Sequence, residues 1–176
     1  MRIIAGEYKS RVIASVPGMD VRPTPDRLRE SLFSILAPVL DDAVFVDAYA
    51  GSGSVGIEAI SRGARKAIFL EKDKRAIVVL KENLATLGIA RSSYEIAPGK
   101  AAENLKDWEA DIVFLDPPYE LEKEYIESLA NAQARVVIAQ HSVRMKLPEA
   151  TSKLARYREV RQGDNVLSFY RPVSTD

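Results

Sequence analysis

The strongest constraint on the fold is a series of short apolar runs separated by stretches of helical spacing. VFVDA (44–48), AIFLE (67–71), a run near 93–97, DIVFLD (111–116) and RVVIAQ (135–140) each read as a strand. Runs of this length with little alternation belong to strands covered on both faces. Helices are expected over 54–62, over 73–87 with a stop at Gly88, briefly after Gly99, and over 122–132. Strands alternating with helices imply right-handed crossovers and a doubly wound, mainly parallel sheet. The last segment differs. SKLARYREVRQ and NVLSFYR flank a Gly163-Asp164 turn, the pattern of an antiparallel hairpin that adds two strands, one of them antiparallel at an edge.

The expected fold is therefore α/β, a seven-stranded sheet closed by a C-terminal hairpin. Upstream, residues 2–5 and 11–15 around Gly6 predict a small N-terminal β-hairpin. The following VRPTPDRLRESLFSILAPVL reads as a helix with Thr24 as its cap and Pro25 in the first turn. Leu28, Leu32, Ile35, Leu36 and Val39 supply its apolar stripe. The expected organisation is one domain over 1–176, with an extension at 1–20 and a core at 21–176.

The absence of cysteine removes disulfides, thiolate metal sites and cysteine nucleophiles from consideration. No metal is expected from a single histidine. No apolar run approaches the roughly 18 residues of a membrane span, and the start is too short in apolar residues for a signal peptide. A cytoplasmic location without membrane attachment is expected. Net charge is zero, but the charge is segregated. Residues 100–130 hold three basic and nine acidic residues, whereas 131–176 hold eight basic and four acidic. Such segregation can leave a basic surface on a neutral chain.

In doubly wound sheets the ligand lies beyond the carboxyl ends of the strands. Asp47, Glu71, Asp116 and Gln140 are the polar residues at those ends. GSGSVG (51–56) has the form G-x-G-x-x-G, which suits a dinucleotide, another adenosine cofactor or a purely structural turn. Asp47, four residues before Gly51, weighs against pyrophosphate. Two like charges about 4 Å apart repel by roughly 4 kcal/mol at an effective dielectric near 20. S-adenosylmethionine has an ammonium and a sulfonium and no phosphate. Glu71 suits either cofactor, because a strand-end carboxylate accepts from ribose hydroxyls. Asp47, Ala48, Gly51, Gly53, Glu71 and Lys72 are thus the candidate cofactor residues.

DPPY (116–119) follows the fourth strand. Its two prolines donate no N–H, and Pro118 holds Pro117 extended, leaving nearby carbonyls for a ligand. Asp116 and a Pro117 carbonyl make two acceptors for the hydrogens of a planar NH2 group, with Pro118 and Tyr119 beside its ring. Asp116, Pro117 and Tyr119 are the candidate catalytic residues, and Pro118 and Tyr119 also contact substrate. The combination with the Asp-x-x-x-Gly-x-Gly loop resembles the Rossmann-like class I methyltransferases that act on amino groups. Their substrates include adenine, cytosine and guanine amines and protein glutamine.

MRIIAGEYKSR, RPTPDRLRESLF (22–33), DAYAGSGSVGIEAISRGA (47–64) and FLDPPY (114–119) together resemble the RsmD family over nearly the whole chain. That resemblance implies transfer from S-adenosylmethionine to guanine N2 of bacterial 16S ribosomal RNA, within a small-subunit assembly particle, by a monomer. It also implies that Thr24 and Arg27 border the cofactor, that Arg22 borders the substrate, and that the N-terminal segment grips RNA. The chain departs from the family in having Tyr49 where Phe is common. APGKAA replaces an adenine-contacting Asp, and Gln140-His141-Ser142 replaces a Glu-Ser pair. The residues alone leave open another amine substrate, an NAD-dependent oxidoreductase and a non-catalytic RNA-binding module.

Overall fold

The five apolar runs become β1 (Val44–Ala48), β2 (Lys66–Glu71), β3 (Tyr94–Pro98), β4 (Glu109–Leu115) and β5 (Gln133–Ser142). The hairpin supplies β6 (Leu154–Gln162) and β7 (Asn165–Pro172). This is a computed structural model, which describes residues 1–19, 24–118 and 121–174. All seven strands form one sheet in the order β3-β2-β1-β4-β5-β7-β6. The first five are mutually parallel. β7 runs antiparallel to β5 and to β6.

The antiparallel strand therefore lies inside the sheet, and the edge strand is β6, which corrects the expected placement of the hairpin. The burial pattern explains the order. Five consecutive residues of β7, Val166–Tyr170, are buried, whereas β6 carries Arg158, Glu159 and Arg161 exposed. A strand buried along its length needs neighbours on both edges, and a charged strand tolerates a free edge.

Helices α1 (Asp26–Leu40) and α2 (Ser54–Ser61) cover one face of the sheet, packing Leu32, Phe33 and Val55 on Phe45, Phe114 and Phe169. α4 (Ala101–Asn104) and α5 (Glu122–Asn131) lie on the other, where Tyr125 and Leu129 meet Val113, Leu115 and Val137. Between them in sequence, α3 (Lys74–Leu87) packs Leu80 and Leu84 with Phe69 and Ile57. α3 is capped by the Asp73 side chain, and it closes at Gly88 in the left-handed conformation, the stop that its sequence predicts.

α1 is different. Pro25 occupies its cap position without a side-chain bond, and the Thr24 hydroxyl donates instead to Gln140 Oε1 at 3.1 Å. Thr24 is thus not the cap but a buried tie between the start of α1 and the end of β5.

The N-terminal segment forms the expected small hairpin, with an antiparallel bridge from Arg2 to Val12 and cross-strand bonds from Ile3 N to Arg11 O, Ser10 N to Ile3 O and Ile13 N to Met1 O at 2.9–3.0 Å. Side chains of α2 and α3 take up amides that the hairpin itself leaves over. Glu58 accepts from the Ile4 and Ala5 amides at 2.9 and 3.0 Å, and Asn83 accepts from Ala14 N at 2.8 Å. Gly6 makes the close approach possible, because a Cβ there would lie 1.8 Å from the Ser61 carbonyl oxygen.

Candidate active site

The sheet register brings the acidic residues together. Asp47 pairs with Phe69 of β2 and Phe114 of β4. Glu71 and Asp116 each stand two residues further along, so three carboxylates gather at the carboxyl ends of β1, β2 and β4. The strand order reverses direction between β1 and β4, the place where such sheets bind ligands.

Asp47 is buried, and its Oδ2 accepts from the Gly56 amide in the first turn of α2 at 2.9 Å. Burial pushes its carboxyl well above the usual range, the Gly56 bond opposes that, and Asp116 and Glu71 push upward again. Glu71 is also buried. Its Oε2 accepts from Gly51 N at 2.8 Å and its Oε1 from the amides of Lys72 and Asp73 at 2.9 Å each. A carboxylate has about four acceptor positions, so Glu71 keeps capacity for a further donor while its orientation is fixed.

The glycines of GSGSVG divide their work. Gly51 has φ +57°, and a Cβ there would meet nothing within 4 Å. Its backbone borders open space. Gly53 and Gly56 face the interior instead: their missing Cβ atoms admit Leu80 at 2.3 Å and Phe69 at 2.4 Å. Without those approaches α2 could not sit close enough for its first turn to reach Asp47.

Tyr49 lies in the same loop with φ +65°, an unusual conformation for an aromatic residue. Its hydroxyl donates to Glu124 Oε2 at 2.8 Å and lies 2.8 Å from Ser128 Oγ, both on α5. The sequence marked Tyr49 only as a replacement for Phe. Glu124 and Ser128, four apart and so on one helical face, are the signal that could have suggested the tie.

Asp116 and Pro118 are half-buried and Pro117 is buried at the end of β4. Ala48 is buried as the last residue of β1, while Lys72 and Arg27 are exposed. Lys72 serves Glu71 through its backbone amide. Two expected site residues, Arg22 and Tyr119, lie outside the described residues. Gln140 is held twice, its side chain by Thr24 and its carbonyl by the Tyr125 hydroxyl at 2.6 Å. His141 is buried between Ser142 O and Ser168 Oγ, each at 2.8 Å. Among the described residues, no group of three or more His, Asp or Glu side chains is arranged to hold a metal ion.

Residues 1–171 match the family described as Conserved hypothetical protein 95. The chain belongs to this family. It is the RsmD family that the motifs resemble. A Bacillus subtilis member named putative rRNA methyltransferase YlbH is 33% identical, over 97% of this chain and 98% of its own. The Escherichia coli protein named ribosomal RNA small subunit methyltransferase D is 36% identical, over 97% of this chain and 89% of its own. A solved structure described as putative methyltransferase yhhF from Escherichia coli is 33% identical with a TM-score of 0.82, covering 98% of this chain and 97% of that one. The sheet order and terminal hairpin are the class I, Rossmann-like methyltransferase fold expected for the RsmD family.

Proposed function

We propose that this chain is an S-adenosylmethionine-dependent methyltransferase that modifies the exocyclic N2 amine of a guanine in bacterial 16S ribosomal RNA. The observation that carries the reading is the convergence of Asp47, Glu71 and Asp116 around the Gly51 loop, close enough that the latter two raise the Asp47 carboxyl. Such a site repels a pyrophosphate and attracts a cation. The relatives' names support the ribosomal RNA substrate, and the guanine N2 target is what the resemblance to the RsmD family implies.

When bound, S-adenosylmethionine supplies an electrophilic methyl group on a positively charged sulfur. Gly51, Asp47 and Glu71 fit it: open space at the loop, a buried carboxyl whose ionised form a cation would favour, and an oriented acceptor for ribose hydroxyls. Ala48, Gly53 and Lys72 support that loop, and Thr24 and Arg27, at the start of α1, border the cofactor as the family resemblance implies. Asp116 and the Pro117 carbonyl accept the two amine hydrogens of the base, while Pro118, Tyr119 and Arg22 complete the substrate side. The lone pair of a ring-conjugated amine is delocalised, so these acceptors act by favouring a pyramidal nitrogen and fixing its direction. The amine proton becomes acidic once the nitrogen is alkylated, and it leaves to Asp116 or to water. The target base must be unstacked to reach the strand ends. The chain works as a single-domain monomer in the cytoplasm, on RNA presented by a small-subunit assembly particle.

Asp116→Ala tests this. Transfer of labelled methyl to small-subunit RNA should fall at least about 100-fold, with S-adenosylmethionine affinity by calorimetry retained within severalfold. The label from the unmutated protein should map to a guanine N2. Normal turnover in the variant, or tight NAD binding in place of S-adenosylmethionine, would overturn the reading.

A further inference from the structure

Two adjoining clefts lie away from the Gly51 loop. One, of about 440 Å³, is bounded by Glu122 at the start of α5 and by Arg144, Met145 and Lys146 after β5. The other, of about 410 Å³, continues from Met145 and Lys146 across Arg156, Arg161 and the buried His141. Shared walls make them one open groove. Its near end begins at α5, four residues after Pro118 of the substrate motif, and its far end reaches edge strand β6. Its floor is tied to the site, since His141 follows Gln140 and packs edge-on to Tyr125 at 6.3 Å.

The groove is lined by four basic residues, Arg144, Lys146, Arg156 and Arg161, and three acidic ones, Glu122, Glu149 and Glu159. Arg144, Lys146 and Arg161 are exposed, and none of them forms an ion pair with a described residue. Arg156 is less exposed and is steadied by Glu149 and Glu159 at 3.6 and 3.4 Å. Charged residues on an edge strand ordinarily serve to block pairing with another chain. That purpose explains Arg158 and Arg161 on β6. It does not explain Arg144 and Lys146, which stand on a connecting loop and face the same groove.

We infer that this groove carries the RNA strand flanking the target base, with Arg144, Lys146 and Arg161 neutralising successive phosphates. The inference rests on the proposed methyl transfer to RNA and adds the path by which RNA leaves the site. A phosphate backbone matches unpaired cations spaced along an open groove. It also explains how a chain of zero net charge holds a polyanion.

Binding of small-subunit RNA, naked and in assembly particles, should be measured at several salt concentrations with S-adenosylhomocysteine present. Each of Arg144→Ala, Lys146→Ala and Arg161→Ala should lower the slope of log affinity against log salt by about 0.7–0.9. S-adenosylmethionine affinity and melting temperature should stay unchanged. Lys81→Ala, an exposed control on α3, should leave the slope intact. Unchanged slopes in the groove variants overturn the inference, as does an equal drop in Lys81→Ala. Loss confined to assembled particles would mean that the groove meets a ribosomal protein, and would overturn it too. If the unmutated protein transfers no methyl to RNA, the functional proposal has failed. If it transfers and the groove variants bind normally, only the groove has.

Discussion

Asp47 stands in an electrostatic conflict that a bound cation would relieve. Its carboxyl is raised in the folded chain, first by burial and then by Asp116 and Glu71. A raised acid contributes stability that is complete below its unfolded value near 3.8 and is lost as pH climbs through the folded value. Asp47→Asn keeps an acceptor for Gly56 and removes that loss. The variant without ligand should therefore gain on the unmutated chain as pH rises from 4 to 8, read by urea unfolding. Its S-adenosylmethionine affinity should fall by roughly tenfold or more, the worth of one charge-assisted contact. Equal pH profiles for the two proteins would show that Asp47 has the same pKa in the folded and unfolded chain. Tyr49 offers a second test at this scale. Tyr49→Phe leaves the positive φ in place and removes the hydroxyl between Glu124 and the buried Ser128. It should cost about 1–2 kcal/mol in urea unfolding. No change would mean that the tie is made equally well by water.

At the scale of elements, α2 joins the site to the N-terminal segment. Its first turn holds Asp47 through Gly56, and Glu58 in its middle is wholly buried. Glu58 accepts from Ile4, Ala5 and Arg62 Nε at 2.8 Å, and lies 3.9 Å from the buried Arg29. Glu58→Gln removes the negative charge from this cluster and turns an NH2 group toward donors. The expected cost is about 3–5 kcal/mol, as for other broken buried pairs, with faster hydrogen exchange at the Ile4 and Ala5 amides. A cost below about 1 kcal/mol would show that Asp26, 3.1 Å from Arg29, carries the cluster alone. The same network shows what was legible in the sequence. β1, β2 and β4 could be read because a strand buried on both faces is apolar throughout, and their final carboxylates follow from strand ends. The docking of the N-terminal hairpin could not, because its Ile4 and Ala5 amides bond to a side chain 54 and 53 residues away. Thr24 failed for the same reason: the local pattern favoured a cap, and Gln140, 116 residues distant, took the hydroxyl. The position of β7 inside the sheet was recoverable only by weighing its buried run against the charged face of β6.

Across the whole molecule the two proposed ligands meet opposite electrostatic surroundings on a chain of zero net charge. The cofactor faces carboxylates of which Asp47 and Glu71 are almost entirely out of solvent. The RNA faces exposed cations on the β5–β6 connection and β6. Salt separates them, because mobile ions screen exposed charges strongly and buried ones weakly. Three neutralised phosphates give a slope of about −2.1 to −2.7, so raising salt from 50 to 200 mM should weaken RNA binding roughly 20- to 40-fold. S-adenosylmethionine at 100 times its dissociation constant should stabilise the fold by about 2.7 kcal/mol. For a chain of this size that raises the melting temperature by roughly 5–11 °C. The thermal shift should be nearly the same at both salt concentrations while RNA titrations show the steep loss. A cofactor shift that collapsed in parallel with RNA affinity would place the cofactor's charge at an exposed surface, away from Asp47 and Glu71.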